Sequence, residues 1–376
     1  MRRTGPFRIG GRHIRLPLFL PDGTMGVVRN LDAADLQAVG TEAVVVNTYH
    51  LMSTPGSEVL KSAGGLKRLM GFEGLVVSDS GGWQCFSLIH RAGSHGKITD
   101  AGVVFRLGGG KNKLFTPEIS VRAQFDIGSD VLVCLDDFTD PAAGERRLRE
   151  SVDRTTLWAR KSRNVFDRIL EERSESGGPR PLLLAVIQGG FDREARKRSA
   201  AELVELGFDG YGFGGYIVEN GRINLDLSAY IAELIPRDKI GFALGFGRPW
   251  DIAALWEMGW EMFDCTLPTR DARHKRLYAF RNDPRGLSLA ALKDPGSYEY
   301  LYLRREKHAK DFDPISRHCD CPACARYSRS YLFHLFDIGD GLALRLATLH
   351  NLRTYQLLIE RLRTLGAASS SAGKRE

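Results

Sequence analysis

The sequence has few cysteines and no long apolar segment. The stretch from Leu16 to Pro21 follows a basic start but is too short for the apolar core of a signal peptide. No other segment is apolar enough to span a bilayer. We therefore predict a soluble, cytoplasmic protein that has no contact with a membrane.

Acidic charge is also in short supply. Across 376 residues, 53 lysines and arginines exceed 46 aspartates and glutamates, which gives a net charge of +7 and a pI of about 9.1. This balance mildly favours an anionic partner such as nucleic acid. A phosphate-binding P-loop is missing, because Gly108-Gly109-Gly110-Lys111 lacks the Walker spacing and the terminal Ser or Thr.

Eight apolar runs of strand length are present, and all but the first end at a polar residue or a glycine. They are Leu16–Leu20, Ala43–Asn47, Leu75–Asp79, Val131–Asp136, Leu182–Gln188, Gly210–Gly214, Gly241–Gly245 and Met262–Asp264. Helix-like stretches lie between them, such as the one that Thr116-Pro117 opens and that ends near Gly128. This alternation predicts an α/β fold, a closed (β/α)8 TIM barrel over residues 1–310.

The segment after the barrel has a different pattern. Residues 311–366 contain a cysteine cluster and then a strongly helical stretch from Asp340 to Leu365, with leucines on one face. We predict a metal-binding subdomain and a long C-terminal helix that packs back on the barrel. The last residues, 367–376, are small and polar, and we expect them to be disordered.

In a TIM barrel, chemistry takes place at the carboxyl ends of the strands. The predicted strand ends carry three carboxylates, two amides and several glycines. These residues are Asn47, Asp79, Asp136, Gln188, Gly214, Gly215, Gly245 and Asp264. Any one of them could simply cap a strand or the following helix, but together they indicate a single pocket.

The stretch from Met262 to His274 delivers a lone carboxylate, Asp264, to a buried strand, and basic residues follow it. Burying a carboxylate is costly unless it is paired, hydrogen-bonded or catalytic. The arginines suit a polyanionic substrate. The alternative is a surface acid that pairs with Arg270 or Arg273.

Three cysteines are crowded into six positions, which in a large intracellular chain favours metal ligation over disulfides. Cys319, Cys321 and Cys324, with His350 from the following helix, would form a closed Cys3His zinc site. His318 and His334 are rival nitrogen ligands. Four protein ligands leave no position for water, so we predict one structural zinc ion per chain.

A set of short motifs extends from near the first strand to the last helix. They are Asn47-Thr48-Tyr49-His50, Asp79-Ser80-Gly81-Gly82-Trp83-Gln84, Gln188-Gly189-Gly190, Gly214-Gly215, Phe263-Asp264-Cys265, Pro268-Thr269-Arg270, Ala272-Arg273-His274, Cys-x-Cys-x-x-Cys and His350-Asn351-Leu352. Together they resemble the tRNA-guanine transglycosylase (queuine tRNA-ribosyltransferase) family, with the length and layout of the bacterial form. The resemblance covers almost the whole chain.

The resemblance implies a role for each matching residue. Asp264 matches the carboxylate nucleophile and Asp79 the general acid/base. The matching substrate-binding positions are Asp136, Gln188, Gly215, Trp83, Asn47, Tyr216 and Leu244, and Trp83 stands where an aromatic ring stacks on the base. Arg270 and Arg273 match the positions that hold the tRNA anticodon loop, and Lys275 and Arg276, in the same basic run, would meet its phosphates.

By the same resemblance, the protein is a homodimeric pentosyltransferase of queuosine-type tRNA modification. It would exchange guanine at the wobble position of U-G-U anticodons for a 7-deazaguanine, preQ1 by default, through a covalent ribosyl-aspartate intermediate. Base exchange needs neither redox nor phosphoryl chemistry, so we expect no nucleotide cofactor.

Several positions depart from the bacterial pattern, namely Tyr216, Ile217, Asn220, Phe138 and Asp271. They leave the incoming base open among preQ1, its nitrile precursor preQ0 and queuine. The sequence also leaves open a DNA substrate, a hydrolase of free nucleosides, and a non-catalytic tRNA-binding partner subunit. Such a subunit would be expected to lose Asp264 or Asp79, and both are present.

Overall fold

The computed structural model describes residues 6–84, 87, 96–106, 112–140, 143–173, 178–215, 217–219 and 221–372. Four features predicted or noted from the sequence lie outside this part of the chain. They are the Gly108 to Lys111 run, Tyr216, Asn220 and the last four residues of the expected tail, 373–376.

Eight parallel strands form the central sheet, and each coincides with one of the predicted runs, which confirms the barrel. They are β3 (Leu18–Pro21), β4 (Ala43–Asn47), β5 (Leu75–Asp79), β9 (Val131–Val133), β10 (Leu182–Ile187), β11 (Gly210–Phe213), β14 (Ile240–Ala243) and β15 (Met262–Cys265). Their order is β3-β15-β14-β11-β10-β9-β5-β4. A parallel bridge from Asp22 to Val45 joins the two outermost strands, so the ring is almost closed.

The remaining strands are short and antiparallel. They are β1 (Pro6–Ile9), β2 (Arg12–Arg15), β6 (Lys97–Thr99), β7 (Gly102–Arg106), β8 (Asn112–Phe115), β12 (Val218–Glu219), β13 (Arg222–Ile223), β16 (Arg276–Phe280) and β17 (Tyr298–Tyr302). Ile9 and Ile14 of the first hairpin belong to the same buried cluster as barrel residues Leu18, Val45 and Val77. This hairpin therefore packs on the inside of the barrel.

Helices cover the outside of the sheet. They are α1 (Ala33–Ala38), α2 (Thr48–Leu51), α3 (Ser57–Ala63), α4 (Leu66–Met70), α5 (Pro117–Ile127), α6 (Glu145–Arg173), α7 (Arg193–Leu206), α8 (Leu225–Leu234), α9 (Pro249–Glu257), α10 (Leu267–Arg273), α11 (Leu289–Lys293), α12 (Pro322–Arg326), α13 (Arg329–Asp337) and α14 (Gly341–Ala372). The predicted signals act where expected: the Thr116 side chain caps α5, and Gly128 ends it at a φ of +74°.

The long helix α14 packs back on the barrel, as predicted. The Tyr355 hydroxyl donates to the Gly247 carbonyl over 2.5 Å, and the Arg363 Nε donates to the Pro17 carbonyl over 3.1 Å. The expectation of a disordered tail from Ala367 is wrong as far as Ala372, because α14 continues to that residue. A helix that tertiary packing has already nucleated extends at little cost into an alanine-rich segment.

In the described part of the chain, no helix combines the length and the apolar character needed to cross a membrane.

Candidate active site and metal centre

A cavity of about 620 Å³ lies at the carboxyl ends of the barrel strands. The structure brings most of the predicted site residues together around it. Its lining includes Asp79, Asp136, Asp264, Trp83, Gly215, Leu244 and Arg270. Asn47 and Gln188 are fully buried behind the wall, where each donates a hydrogen bond to one of these carboxylates.

Asp79 ends strand β5 and receives several hydrogen bonds. The Asn47 Nδ2 donates to its Oδ2 over 2.6 Å, while the peptide N–H groups of Thr48 and Gly81 donate to its Oδ1 over 3.2 and 3.0 Å. Burial raises the pKa of Asp79 to about 7, and these donors oppose that rise. The carboxyl group can therefore gain or lose a proton close to neutral pH.

Asp264 lies in β15 and accepts one hydrogen bond in the described structure, from the Gly245 N–H over 2.8 Å. Burial raises the pKa of Asp264 to about 7, and the negative charges of Asp79 and Asp22 add to the rise. No arginine or lysine of the described chain forms a salt bridge with Asp264. The alternative of a surface acid paired with Arg270 or Arg273 is therefore wrong.

Asp136 and Gln188 form a second polar pair. The Gln188 Nε2 donates to the Asp136 Oδ2 over 2.6 Å, and burial raises the pKa of Asp136 to about 6. Gly214 must lack a side chain, since a Cβ there would lie 2.3 Å from the Gln188 Nε2. Gly215 has a φ of +81°, which favours glycine. In this corner the carboxylate of Asp136, the amide of Gln188 and the backbone of Gly214 and Gly215 lie close together.

Two aromatic rings stand at the wall of the cavity. Trp83 and Phe138 meet edge to face, with ring centroids 4.7 Å apart. The neighbouring Asp137 is buried and clamped by Arg147 and Arg154 at 2.6 Å each. The departure at Phe138 therefore places a bulky ring beside the pocket, next to the anchored carboxylate of Asp137.

The basic residues predicted to hold RNA divide into two groups. Arg270 and Arg273 are exposed, and Arg270 also reaches the cavity. By contrast, the Arg276 Nε donates to the buried Asp271 over 2.9 Å, and the Lys275 Nζ donates to the Phe336 carbonyl over 3.2 Å. The charges of these two residues are partly committed inside the protein.

The sequence interpretation missed three charged side chains that line the cavity, namely Asp22, Arg248 and Asp251. Strand β3 ends at Pro21 instead of the predicted Leu20, and this places Asp22 directly at the strand end. Arg248 and Asp251 lie at the start of α9, as its N-cap and in its first turn. The strand-end rule, applied with boundaries correct to one or two residues, would have found Asp22, whereas Arg248 and Asp251 lie five and eight residues beyond the end of β14.

Cys319, Cys321, Cys324 and His350 lie together, with their ligand atoms all within 4.8 Å of one another. The His350 Nδ1 is 3.2 Å from the Cys324 Sγ, a separation that fits ligands around one tetrahedral ion. His350 also donates from Nε2 to the Tyr278 carbonyl over 2.6 Å, which turns Nδ1 toward the sulfurs. The group can hold a metal ion, and neither rival histidine belongs to it.

Comparisons with known proteins agree with this geometry. A family model described as queuine tRNA-ribosyltransferase matches residues 1–365. A queuine tRNA-ribosyltransferase of Solidesulfovibrio magneticus is 36% identical over 364 residues, which cover 96% of this chain and 90% of the relative. Proteins of the same name from Mannheimia succiniciproducens and Shewanella sp. strain W3-18-1 are 35% and 36% identical, and each match covers 93% of this chain and 86% of the relative. The chain therefore belongs to the queuine tRNA-ribosyltransferase family.

Proposed function

We propose that this protein is a pentosyltransferase that exchanges guanine at the wobble position of tRNAs with a U-G-U anticodon for a 7-deazaguanine. Family membership supports the reaction class. The observation that carries the proposal is the pair of carboxylates, Asp264 and Asp79, in one cavity at the mouth of the barrel. Because two curated relatives are named queuine tRNA-ribosyltransferase and both carboxylates are present in the cavity, a non-catalytic partner subunit is the weaker alternative.

In this proposal the Asp264 carboxylate attacks C1′ of the ribose while the bond from C1′ to N9 of guanine breaks. Asp79, in its protonated form, gives a proton to the departing guanine. The product is a covalent ribosyl ester of Asp264. The incoming base then loses its N9 proton to Asp79, attacks C1′ and displaces Asp264. Two displacements at one carbon retain the β configuration.

The pKa values support this division of labour. Both carboxyl groups have a pKa near 7, so at neutral pH one can be ionised while the other keeps a proton. The two groups are coupled, since the charge of Asp79 raises the pKa of Asp264. A nucleophile and an acid can therefore coexist in the same pocket.

Base recognition would fall to the corner formed by Asp136, Gln188 and Gly215. Guanine presents donors at N1 and N2 and acceptors at O6 and N7. Asp136 can accept from the donor edge, while the Gln188 amide and the Gly215 N–H can donate to O6. Trp83 would stack on the base, in the way that proteins generally read an unpaired nucleotide of an RNA loop.

We propose preQ1 as the default incoming base, with preQ0 and queuine as alternatives. Trp83 and Phe138 both line the cavity and meet edge to face, which would favour the smaller substituents of preQ1 and preQ0 over that of queuine. Two residues that bear on this choice, Tyr216 and Asn220, lie outside the described part of the chain.

We further propose that the Cys3His group holds zinc as a structural ion. A closed set of three thiolates and one imidazole is typical of such sites, and it would tie α12 to the long helix α14. A tRNA substrate implies a cytoplasmic site of action. The homodimer stays a prediction from the resemblance.

The testing experiment is incorporation of radiolabelled guanine into a tRNA transcript with a U-G-U anticodon. A transcript with adenosine in place of the target guanosine is the matched control, and unlabelled preQ1, preQ0 and queuine are competitors. We expect incorporation that requires Asp264, with preQ1 the strongest competitor. Free guanosine cleavage without RNA would instead establish a nucleoside hydrolase, and no incorporation by folded, zinc-loaded protein would favour a partner subunit.

A further inference from the structure

A further carboxylate, Asp22, lines the same cavity as Asp264 and Asp79. It follows strand β3, which pairs in register with the strand of Asp264: Asp264 lies opposite Leu20, and Cys265 lies opposite Pro21. Asp22 is therefore one residue beyond the paired segment, at the same carboxyl edge of the barrel. A second bridge, from Asp22 to Val45, fixes its backbone at the seam of the sheet.

One oxygen of Asp22 is held by its own loop. The Thr24 N–H donates to the Asp22 Oδ1 over 3.0 Å, and the Thr24 hydroxyl donates to the same oxygen. These two bonds orient the carboxylate and leave Oδ2 without a donor from the described residues. The same residues supply no salt-bridge partner for Asp22.

Asp22 shares the cavity with the carboxylates of Asp264 and Asp79. Its charge is close enough to raise the pKa of Asp264, and Asp79 adds a further negative charge. A carboxylate that lies among other negative charges is stabilised by a cation or a hydrogen-bond donor. The described residues provide a donor to only one of its oxygens, so the second oxygen is available to the substrate.

The reacting sugar would lie between these carboxylates, because Asp264 attacks C1′. Inside a polynucleotide chain the 3′ and 5′ oxygens are esterified, so the 2′-hydroxyl is the only hydroxyl donor that a ribose can offer. We propose that Asp22 accepts a hydrogen bond from the 2′-hydroxyl of the nucleotide whose base is exchanged, and so selects RNA over DNA. The 2′-hydroxyl is the group by which proteins distinguish the two polymers.

This inference depends on the proposed base exchange and names its polymer. The test uses two anticodon stem-loops that differ only at the target nucleotide, guanosine in one and 2′-deoxyguanosine in the other. Guanine exchange is measured as kcat/KM for the wild type, for Asp22→Ala, and for Asp226→Ala, which removes an exposed carboxylate of α8. For each enzyme, kcat/KM on the ribose substrate is divided by kcat/KM on the deoxyribose substrate. The intrinsic difference in reactivity between the two sugars contributes the same factor to every ratio, so it cancels when the enzymes are compared.

We expect the wild type and Asp226→Ala to prefer the ribose substrate, and Asp22→Ala to reduce that preference by about 10- to 100-fold, as for the loss of a hydrogen bond to a charged group. Thermal unfolding establishes that the variants fold, and Asp22→Val replaces the alanine variant if that one does not. An equal loss on both substrates, or a wild type with no preference for ribose, would overturn the inference. No exchange on either stem-loop would overturn the proposed function itself.

Discussion

Asn47 lies directly opposite Asp79 in the barrel, and the amide Nδ2 of the first donates to the carboxylate Oδ2 of the second over 2.6 Å. The two residues end neighbouring parallel strands, so the sheet itself sets this distance. The bond favours the ionised form of Asp79 and opposes the effect of burial, which raises the pKa of that group to about 7. Asn47 therefore adjusts the proton affinity of the proposed general acid/base.

Asn47→Ala should raise the pKa of Asp79 further, because a donor to the charged form is lost. We expect kcat for guanine exchange to fall by about tenfold or more at pH 7 and the limb of the pH profile that reports Asp79 to move to higher pH. Asn164→Ala, which changes an exposed asparagine of α6, is the control and should leave the profile unchanged. An unshifted profile in Asn47→Ala would contradict this role.

Asp264 should make activity and stability respond to pH in opposite directions. Its folded pKa of about 7 lies above its ordinary value of 3.8, so the native state binds the proton more tightly than the unfolded state. The free energy of unfolding should therefore fall as pH rises from about 4 to about 7. Over the same range the attacking carboxylate form becomes more abundant, and exchange should become faster.

Asp264→Asn tests both statements. The neutral amide removes the cost of burying a charge, so we expect the melting temperature at pH 8 to rise by a few degrees and to change little at pH 4. Exchange should be abolished at every pH. Thermal unfolding at the two pH values, together with the guanine assay, measures these effects. A variant that is destabilised more at pH 8 than at pH 4 would show that the ionised Asp264 stabilises the fold, which contradicts the prediction.

The barrel could be predicted from sequence because its strands are buried on both faces. Their sequences are therefore nearly continuous apolar runs, such as Ala43–Asn47. The strand-end rule then found Asp79, Asp136 and Asp264. It missed Asp22, because one turn residue decides whether a side chain points into the pocket, and local sequence fixes a strand end only to within a residue or two.

The sequence also did not predict which charged side chains pair with each other. Arg276 and Arg273 look alike in the sequence, yet only Arg276 meets the buried Asp271, across a short helix and the start of β16. Such contacts depend on the turn between α10 and β16, whose conformation the residue types do not fix. For the metal group, the cysteine spacing was sufficient, but the choice of His350 over His318 required the position of α14.

The metal group gives a direct test of that choice. His350→Ala should lose the bound metal and lower the melting temperature by about 10 °C or more, because a structural ion contributes folding free energy. His318→Ala should keep both. Metal content by mass spectrometry and thermal unfolding with and without a chelator measure the difference, and equal metal content in the two variants would show that His350 is not a ligand.

Alanine substitution of Arg273 should mainly weaken tRNA binding, whereas alanine substitution of Arg276 should mainly lower thermal stability. Arg273 is exposed, so Arg273→Ala should weaken binding of the tRNA and lower the slope of log affinity against log salt by about one. Arg276→Ala leaves Asp271 buried without its cation, and we expect the larger loss of thermal stability there. Salt-dependent binding and unfolding curves for both variants distinguish these outcomes, and the opposite ranking would contradict the assignment.

Arg196 provides the last prediction, because this buried side chain links the two loops that would read the base. Its Nε donates to the Gly190 carbonyl over 2.9 Å and its Nη1 to the Ile187 carbonyl over 2.5 Å, on either side of Gln188. Its Nη2 would lie 3.7 Å from a Cβ on Gly215 and has no hydrogen-bond partner among the described residues.

Arg196→Lys keeps a charge but loses the planar fork that spans both carbonyls, so Gln188 and the Gly215 turn should lose their fixed separation. We expect KM for guanine to rise about tenfold while kcat changes much less, since the carboxylates that carry out the transfer are untouched. Arg198→Lys, two residues along the same helix and half-exposed, is the matched control and should leave both constants unchanged. A tenfold fall in kcat with no change in KM would instead show that Arg196 supports the chemical step. Unchanged kcat and KM in Arg196→Lys would show that the two loops keep their geometry without Arg196.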